Sequence, residues 1–113
     1  MDHAIDVQEI TPAELKARLD AGDVPVLVDV REHFERGIAD LPAHDQLRMP
    51  TAEFMQRMGE IAGGRDVVLY CRSGSRSEWA ARLLAQSGHG AVFNLRGGIL
   101  AWRQEIDPSL RAY

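Results

Sequence analysis

The sequence predicts a three-layer α/β/α sandwich on a mostly parallel sheet of about five strands. Short β-like runs alternate about five times with segments of helical periodicity along the 113 residues, which is the pattern of an α/β fold. Two runs, "PVLVDV" and "DVVLYC", are apolar at nearly every position, as expected of strands covered on both faces. Hydrophobic residues make up 45% of the chain, and there is no repeat or linker, so we expect one domain over residues 1–113.

The first elements have clear boundary signals. A strand is expected near Ala4–Ile10. The "TPAE" that follows combines Thr11 as the N-cap, Pro12 in the first turn and Glu14 as the capping-box partner, which predicts the start of a helix. Gly22 is expected to end that helix.

The middle of the chain is less regular. "PVLVDV" at 25–30 predicts a buried strand, and "EHFERG" a short helix or turn. Pro42 and Pro50 bracket an irregular stretch with a short strand near Leu47–Met49. Thr51 is the expected cap of the next helix, whose inward positions at a period of 3.6 are Phe54, Met55, Met58 and Ile61.

The second half repeats the alternation. "DVVLYC" at 66–71 predicts a strand, and "SEWAARLLAQSG" a helix that ends at Gly88 and turns Trp79, Leu83 and Leu84 inward. "AVFNL" predicts another strand, "GGILAW" a short helix and "DPSLRAY" a tail.

Composition argues against several functional classes. The net charge is −4 at pH 7, which gives no electrostatic reason to bind nucleic acid or acidic membranes. No apolar run approaches the ~20 residues needed to span a bilayer, and no secretory signal pattern is seen. A single cysteine cannot form an internal disulfide, so we expect a cytoplasmic location.

No metal or cofactor is expected. The four histidines, His3, His33, His44 and His89, show no HxxxH spacing, and there is no CxxC. Nucleotide-binding glycine motifs are absent as well.

The residues best suited to chemistry surround Cys71. This cysteine ends the strand "DVVLYC", and ligands of parallel sheets bind beyond the carboxyl ends of the strands. The following loop leads into a helix, whose first N–H groups lack intrahelical partners and can form an anion site. The loop adds two positive charges, three hydroxyl groups and one conformationally free residue; these are Arg72, Ser73, Gly74, Ser75, Arg76 and Ser77.

This loop predicts a nucleophilic thiolate. Arginines, helix start and N–H groups all favour the charged form of an exposed cysteine, which would attack a small anionic substrate. The alternative is a buried core thiol beside solvated arginines. That alternative must also explain so many polar residues at one strand–helix junction.

Three stretches resemble the rhodanese-like sulfurtransferases. "CRSGSRS" at 71–77 resembles their active-site loop. "VLVDVRE" at 26–32 resembles the DVR signature and places Asp29, Arg31 and Glu35 at matching positions. "NLRGGILAW" at 94–102 resembles the GG-x-x-x-W ending, and the resemblance covers roughly residues 8–106. Many relatives have a histidine between Gly and Ile where this chain has Gly37–Ile38, so the backbone course of 33–50 is not predicted.

The resemblance implies a sulfurtransferase. Cys71 would take sulfane sulfur from an anionic donor such as thiosulfate and pass it, as a persulfide, to cyanide, a thiol or a partner protein. The loop 72–77 would bind the donor, with Arg72 and Arg76 orienting it. Asp29 and Arg31 would brace the loop structurally. Relatives that use mercaptopyruvate tend to have a small residue after the cysteine, so Arg72 favours thiosulfate.

Two alternatives stay open. A phosphatase or arsenate reductase of related fold uses Cys-x5-Arg, with the arginine six positions after the cysteine. Counted from Cys71, Arg76 stands at +5 and Ser77 at +6, so this loop is one residue short. The second alternative is a persulfide carrier or interaction module in a sulfur-relay pathway. The tail "AWRQEIDPSLRAY" is similar to the ends of rhodanese domains in adenylylating sulfur-transfer enzymes.

Overall fold

The computed structural model describes residues 7–42 and 45–113. Its sheet has five strands, all parallel, in the order β1-β5-β4-β2-β3. This confirms the predicted fold class. Residues 4–6 of the first expected strand, and also His3 and His44, lie outside the described residues. The strands are β1 (Val7–Ile10), β2 (Val26–Asp29), β3 (Gln46–Arg48), β4 (Val67–Tyr70) and β5 (Val92–Leu95).

Four α-helices and two short 3₁₀ segments connect the strands. The helices are α1 (Pro12–Asp20), α2 (Thr51–Arg57), α3 (Ser75–Gln86) and α4 (Gly98–Glu105), and the 3₁₀ segments are His33–Gly37 and Met58–Glu60. Side chains of α2 and α3 pack in one core cluster, and those of α1 and α4 in another. The sheet lies between the two clusters, which gives the three predicted layers.

The central strands contribute to both clusters. Val67 and Leu69 of β4 face α2 and α3, whereas Val68 and Tyr70 face α1 and α4. This alternation explains why the strand is apolar at every position. Cys71 follows in register and belongs to the cluster under α3.

The capping box of α1 forms as predicted. The Thr11 hydroxyl accepts from the Glu14 N–H at 3.1 Å, and the Glu14 carboxylate accepts from the Thr11 N–H at 2.9 Å. Trp102, the tryptophan of the GG-x-x-x-W ending, is buried in α4.

Three local expectations were wrong. Thr51 lies inside α2, because Pro50 in an extended conformation takes the N-cap position. Met55 is 63% exposed, since it follows the buried Phe54 and so points about 100° away around the helix. Trp79 is 43% exposed, and its ring covers Phe54 at a centroid distance of 6.3 Å.

Over residues 7–42 and 45–113, none of the helices is long and apolar enough to cross a bilayer. In the same ranges, no three His, Cys, Asp or Glu side chains cluster as metal ligands would.

Candidate active site

Cys71 lies directly after β4, at the carboxyl edge of the sheet. Its sulfur accepts a hydrogen bond from the Gly74 N–H at 3.1 Å and lies 3.4 Å from the Ser77 hydroxyl oxygen. Both groups belong to the turn that starts α3. Cys71 is only 1% exposed, so the expectation of an exposed thiol was wrong. The loop folds over the sulfur and covers it from solvent.

Gly74 shapes this turn. It adopts a left-handed conformation with φ +111° directly before α3, which a residue with a side chain rarely adopts. The turn points the Gly74 N–H at the sulfur, and no side chain caps the start of α3. The N-terminus of α3 is therefore left open toward the loop.

The start of α4 holds the other side of the loop. The N–H of Ile99 donates to the Cys71 carbonyl at 3.0 Å, and the N–H of Leu100 donates to the Arg72 carbonyl at 3.1 Å. These bonds turn both carbonyl oxygens toward α4. A Cβ on Gly98 would stand 2.5 Å from each of these two oxygens, so the second glycine of "GG" permits the close approach.

Asn94 is a site residue that the sequence prediction missed. This β5 side chain is buried, donates to the Gly74 carbonyl at 3.1 Å and lies 2.6 Å from the Ser77 hydroxyl oxygen. A polar residue near the end of the apolar run "AVFNL" was the available signal, because buried amides are nearly always hydrogen-bonded. Asn94 fixes both the turn and the hydroxyl that face the sulfur.

Arg76 is paired rather than open to the loop. Its guanidinium donates to both carboxylate oxygens of Glu35, at 2.7 and 3.0 Å. Hydrogen bonds from Arg76 lower the pKa of Glu35 to about 2, against the opposing effect of burial. The pair ties α3 to the 3₁₀ segment after β2.

Arg72 has a different environment. Its Nε–H donates to the backbone oxygen of Tyr113, and its guanidinium lies over the Tyr113 ring, 5.2 Å from the centroid. Ser73 and Ser75 are exposed on the outside of the loop. Of the predicted loop residues, Gly74 and Ser77 are the ones whose atoms contact the sulfur.

Asp29 and Arg31 form a buried ion pair below the loop. Asp29 Oδ1 accepts from the Arg31 N–H at 3.0 Å and from its Nε at 2.9 Å, and Oδ2 accepts from Arg31 at 3.0 Å and Arg48 at 2.7 Å. Arg31 also donates to the Ala39 carbonyl at 2.8 Å and to the Tyr113 hydroxyl at 3.0 Å. Arg31 thus contacts both Tyr113, which lies against Arg72, and the segment that follows Glu35, the partner of Arg76.

The Glu35–Arg76 pair makes a pH-dependent prediction. The unfolded carboxyl has an ordinary pKa of 4.5, and the folded one has a pKa of about 2 because of Arg76 first and also the Glu32 N–H and the Tyr113 hydroxyl. The ionised carboxyl with these partners therefore stabilises the fold above pH 4.5 by about 3 kcal/mol. That stability is lost as the pH falls from 4.5 toward 2. At pH 7 we expect the free energy of unfolding in urea to be lower by about this amount in Glu35→Gln than in wild type. This gap in unfolding free energy should shrink as the pH falls from 4.5 toward 2.

The matched control is Glu60→Gln. Glu60 pairs with Arg57 on the surface at 3.1 Å, where solvent weakens the interaction, so its gap should be much smaller. A Glu35→Gln gap that stays constant from pH 7 to pH 2.5 would contradict the assignment.

A surface pocket of about 530 Å³ lies elsewhere. Val24, Gln46 and Arg65 are among its lining residues, and they stand at the amino-terminal ends of β2, β3 and β4. Cys71 lies at the opposite edge of the sheet, so the thiol site is a loop and not this pocket.

Comparison with known proteins gives matches over most of the chain. Residues 11–105 match the family model described as Rhodanese-like domain. The chain is 46% identical over 102 residues to a sulfurtransferase of Allochromatium vinosum, covering 90% of this chain and 94% of that protein. It is 32% identical over 111 residues to an adenylyltransferase and sulfurtransferase of Zea mays, covering 92% of this chain but 23% of that protein.

A solved structure is also similar. The rhodanese-related protein of Thermoplasma volcanium matches with a TM-score of 0.76 and 26% identity, covering 88% of this chain and 93% of that chain. The range matched by the family model contains Asp29, Arg31 and the whole loop 71–77, whereas Tyr113 lies outside it.

Proposed function

We propose a persulfide mechanism for this chain, which belongs to the rhodanese-like domain family and is a sulfurtransferase of that family. The observation that carries the proposal is the convergence of the Gly74 N–H and the Ser77 hydroxyl on the Cys71 sulfur. Donors placed at the start of a helix favour a negative sulfur. The same donors suit the terminal sulfur of a persulfide.

The first half-reaction takes sulfur from thiosulfate. The Cys71 thiolate attacks the outer sulfur of the donor and forms an S–S bond. The donor's own S–S bond breaks, and its electron pair leaves with sulfite. The product is a Cys71 persulfide anion, so charge and atoms balance without proton transfer.

The second half-reaction returns the thiolate. An acceptor such as cyanide attacks the outer sulfur of the persulfide and leaves as thiocyanate. The S–S bond of the persulfide breaks, and its electron pair returns to the Cys71 sulfur. No general base is needed when the nucleophile is already a thiolate. The described histidines fit this, because His33 lies against Glu53 and His89 against the Ala62 carbonyl.

The Ser77 hydroxyl adjusts to the charge on the sulfur. It has one hydrogen and three acceptors within reach, namely the Cys71 sulfur, the Gly74 carbonyl and Asn94 Oδ1. We infer that it donates to Asn94 beside the neutral thiol and to the sulfur beside the thiolate or persulfide. The switch needs only a hydroxyl rotation.

Loop size supports sulfur transfer over phosphoryl transfer. A phosphatase loop needs a free arginine at +6, where this chain has Ser77, which is buried and lies 3.4 Å from the sulfur. The arginine at +5, Arg76, is already bound by Glu35. Cys71-dependent hydrolysis of p-nitrophenyl phosphate would count against the proposal.

Steady-state kinetics test the mechanism. With thiosulfate and cyanide both varied, a covalent Cys71 intermediate requires ping-pong kinetics, so reciprocal plots should be parallel. Cys71→Ser should form no thiocyanate. Intersecting lines would mean that both substrates bind before any sulfur moves, which would rule out the two-step scheme.

One observation favours a second function, that of a persulfide carrier. The chain corresponds to only 23% of the Zea mays adenylyltransferase and sulfurtransferase, so a similar domain exists as a part of a larger protein. A carrier would accept sulfur on Cys71 but give it to cyanide slowly. Fast transfer to a partner protein with slow thiocyanate formation would select this function over stand-alone turnover.

A further inference from the structure

The two loop arginines differ in how their charge is balanced. Glu35 holds Arg76 with two hydrogen bonds, at 2.7 and 3.0 Å. Arg72 instead rests on an aromatic ring and a backbone oxygen, both from Tyr113. Within the described parts of the chain, no Asp or Glu carboxylate pairs with Arg72. Of the two loop arginines, Arg72 is therefore the one whose guanidinium is not occupied by a side-chain carboxylate.

Tyr113 contacts Arg72 in two ways. Its backbone oxygen accepts from the Nε–H, and its ring lies under the guanidinium carbon, with 5.2 Å between that carbon and the ring centroid. Among residues 7–42 and 45–113, the Nη1 and Nη2 groups of Arg72 have no hydrogen-bond partner. These two groups form the fork with which an arginine binds an oxyanion.

The Tyr113 side chain is itself held firmly. Its hydroxyl donates to Glu35 at 2.9 Å and accepts from Arg31 at 3.0 Å. Arg103 donates to the Leu110 carbonyl at 2.6 Å and fixes the preceding tail. Leu110 and Tyr113 both pack on the core cluster beneath α4. The ring thus offers Arg72 a fixed platform.

We propose that Tyr113 is a positioning residue that presets Arg72 for the anionic sulfur donor. It anchors the Nε edge of the guanidinium, places the aromatic ring beneath the guanidinium carbon, and leaves the Nη fork for the oxygens of the anion. An arginine that is held beforehand loses less side-chain freedom when the anion binds. That the anion is a sulfur donor rests on the proposed function. The preference of the loop for anions does not depend on it.

Alkylation of Cys71 measures this preference without sulfur transfer. Iodoacetate and iodoacetamide are similar in size, but only iodoacetate is an anion, and Cys71 is the only cysteine. The ratio of their rates, divided by the same ratio for free cysteine, reports attraction of an anion to the loop. We expect Tyr113→Leu to lower this ratio about three- to tenfold. This is the range expected for the loss of one cation–π contact and of the positioning that it gives to Arg72.

Two further variants separate positioning from general support. Tyr113→Phe loses the two hydroxyl bonds but keeps the ring, its packing on the core cluster beneath α4 and the backbone oxygen. It should keep the ratio within about twofold of wild type. Arg72→Gln should lower the ratio, and Tyr113→Leu should then add no further decrease. In single-turnover persulfide formation, Tyr113→Leu should raise the half-saturating thiosulfate concentration and leave the limiting rate unchanged.

Several outcomes would overturn the inference. These are an unchanged ratio in Tyr113→Leu, an equal rise of both alkylation rates from simple loosening of the loop, and a full Tyr113→Leu effect in the Arg72→Gln background. If wild type gains no sulfur from thiosulfate while the ratios change as expected, the proposed donor is wrong and the positioning role of Tyr113 is supported.

Discussion

Gly98→Ala is expected to abolish sulfur transfer and to destabilise the fold by several kcal/mol. Gly98 adopts φ +61°, and the left-handed conformation costs a residue with a side chain about 1–2 kcal/mol. The new Cβ would also stand 2.5 Å from the carbonyl oxygens of Cys71 and Arg72. Backbone oxygens cannot rotate away, so we expect about 1–3 kcal/mol more and a displaced loop.

Gly22→Ala is the matched control for that substitution. Gly22 has a similar φ of +78° but nothing within 4 Å of the added Cβ. Gly22→Ala should therefore lose only the stability that the left-handed conformation costs an alanine, and its turnover should be unchanged. Urea unfolding and thiocyanate formation would measure both variants. Equal stability losses in the two, with normal turnover in Gly98→Ala, would disprove the role given to the close approach.

Asp29→Ala is the second large expected effect. It removes the carboxylate that accepts three hydrogen bonds from Arg31. The fully buried guanidinium then keeps only the longer contact with the Asp40 carboxylate, at 3.5 Å. Breaking a buried ion pair on one side costs about 3–5 kcal/mol. That is a large share of the roughly 5–15 kcal/mol of a typical domain, so we expect a much lower urea midpoint.

A surface pair provides the comparison for Asp29. Lys16 and Asp20 form an ion pair at 2.6 Å on exposed positions of α1. Asp20→Ala makes the same chemical change at a similar distance, yet exposed pairs contribute only about 0–1 kcal/mol. Similar losses of unfolding free energy in Asp20→Ala and Asp29→Ala would show that the burial of Arg31 does not make its ion pair more important for stability.

The overall fold was predictable because its signals are local. Apolar residues at every strand position require cover on both faces, and the alternation of Val67, Val68 and Leu69 between the two clusters shows this directly. The Thr11–Glu14 capping box involves only neighbours in the sequence. The buried face of each helix was harder to predict, because two adjacent apolar residues such as Phe54 and Met55 do not show which of them the sheet will cover.

The site was predictable only in part. Sequence position places Cys71 at a strand end before a helix, but the partners of the loop come from distant segments. Glu35 is 41 residues from Arg76, and Tyr113 is 41 residues from Arg72. Such pairs depend on how the 3₁₀ segment and the tail pack against the loop, which composition and periodicity do not encode.

The most direct test of the central claim is the intact mass of the protein after incubation with thiosulfate. We expect wild type to gain one sulfur atom, to lose it on addition of cyanide, and to release sulfite as the sulfur is gained. Cys71→Ser should show no gain. An unchanged wild-type mass in the absence of reducing agent, or an equal gain in Cys71→Ser, would contradict transfer through a Cys71 persulfide.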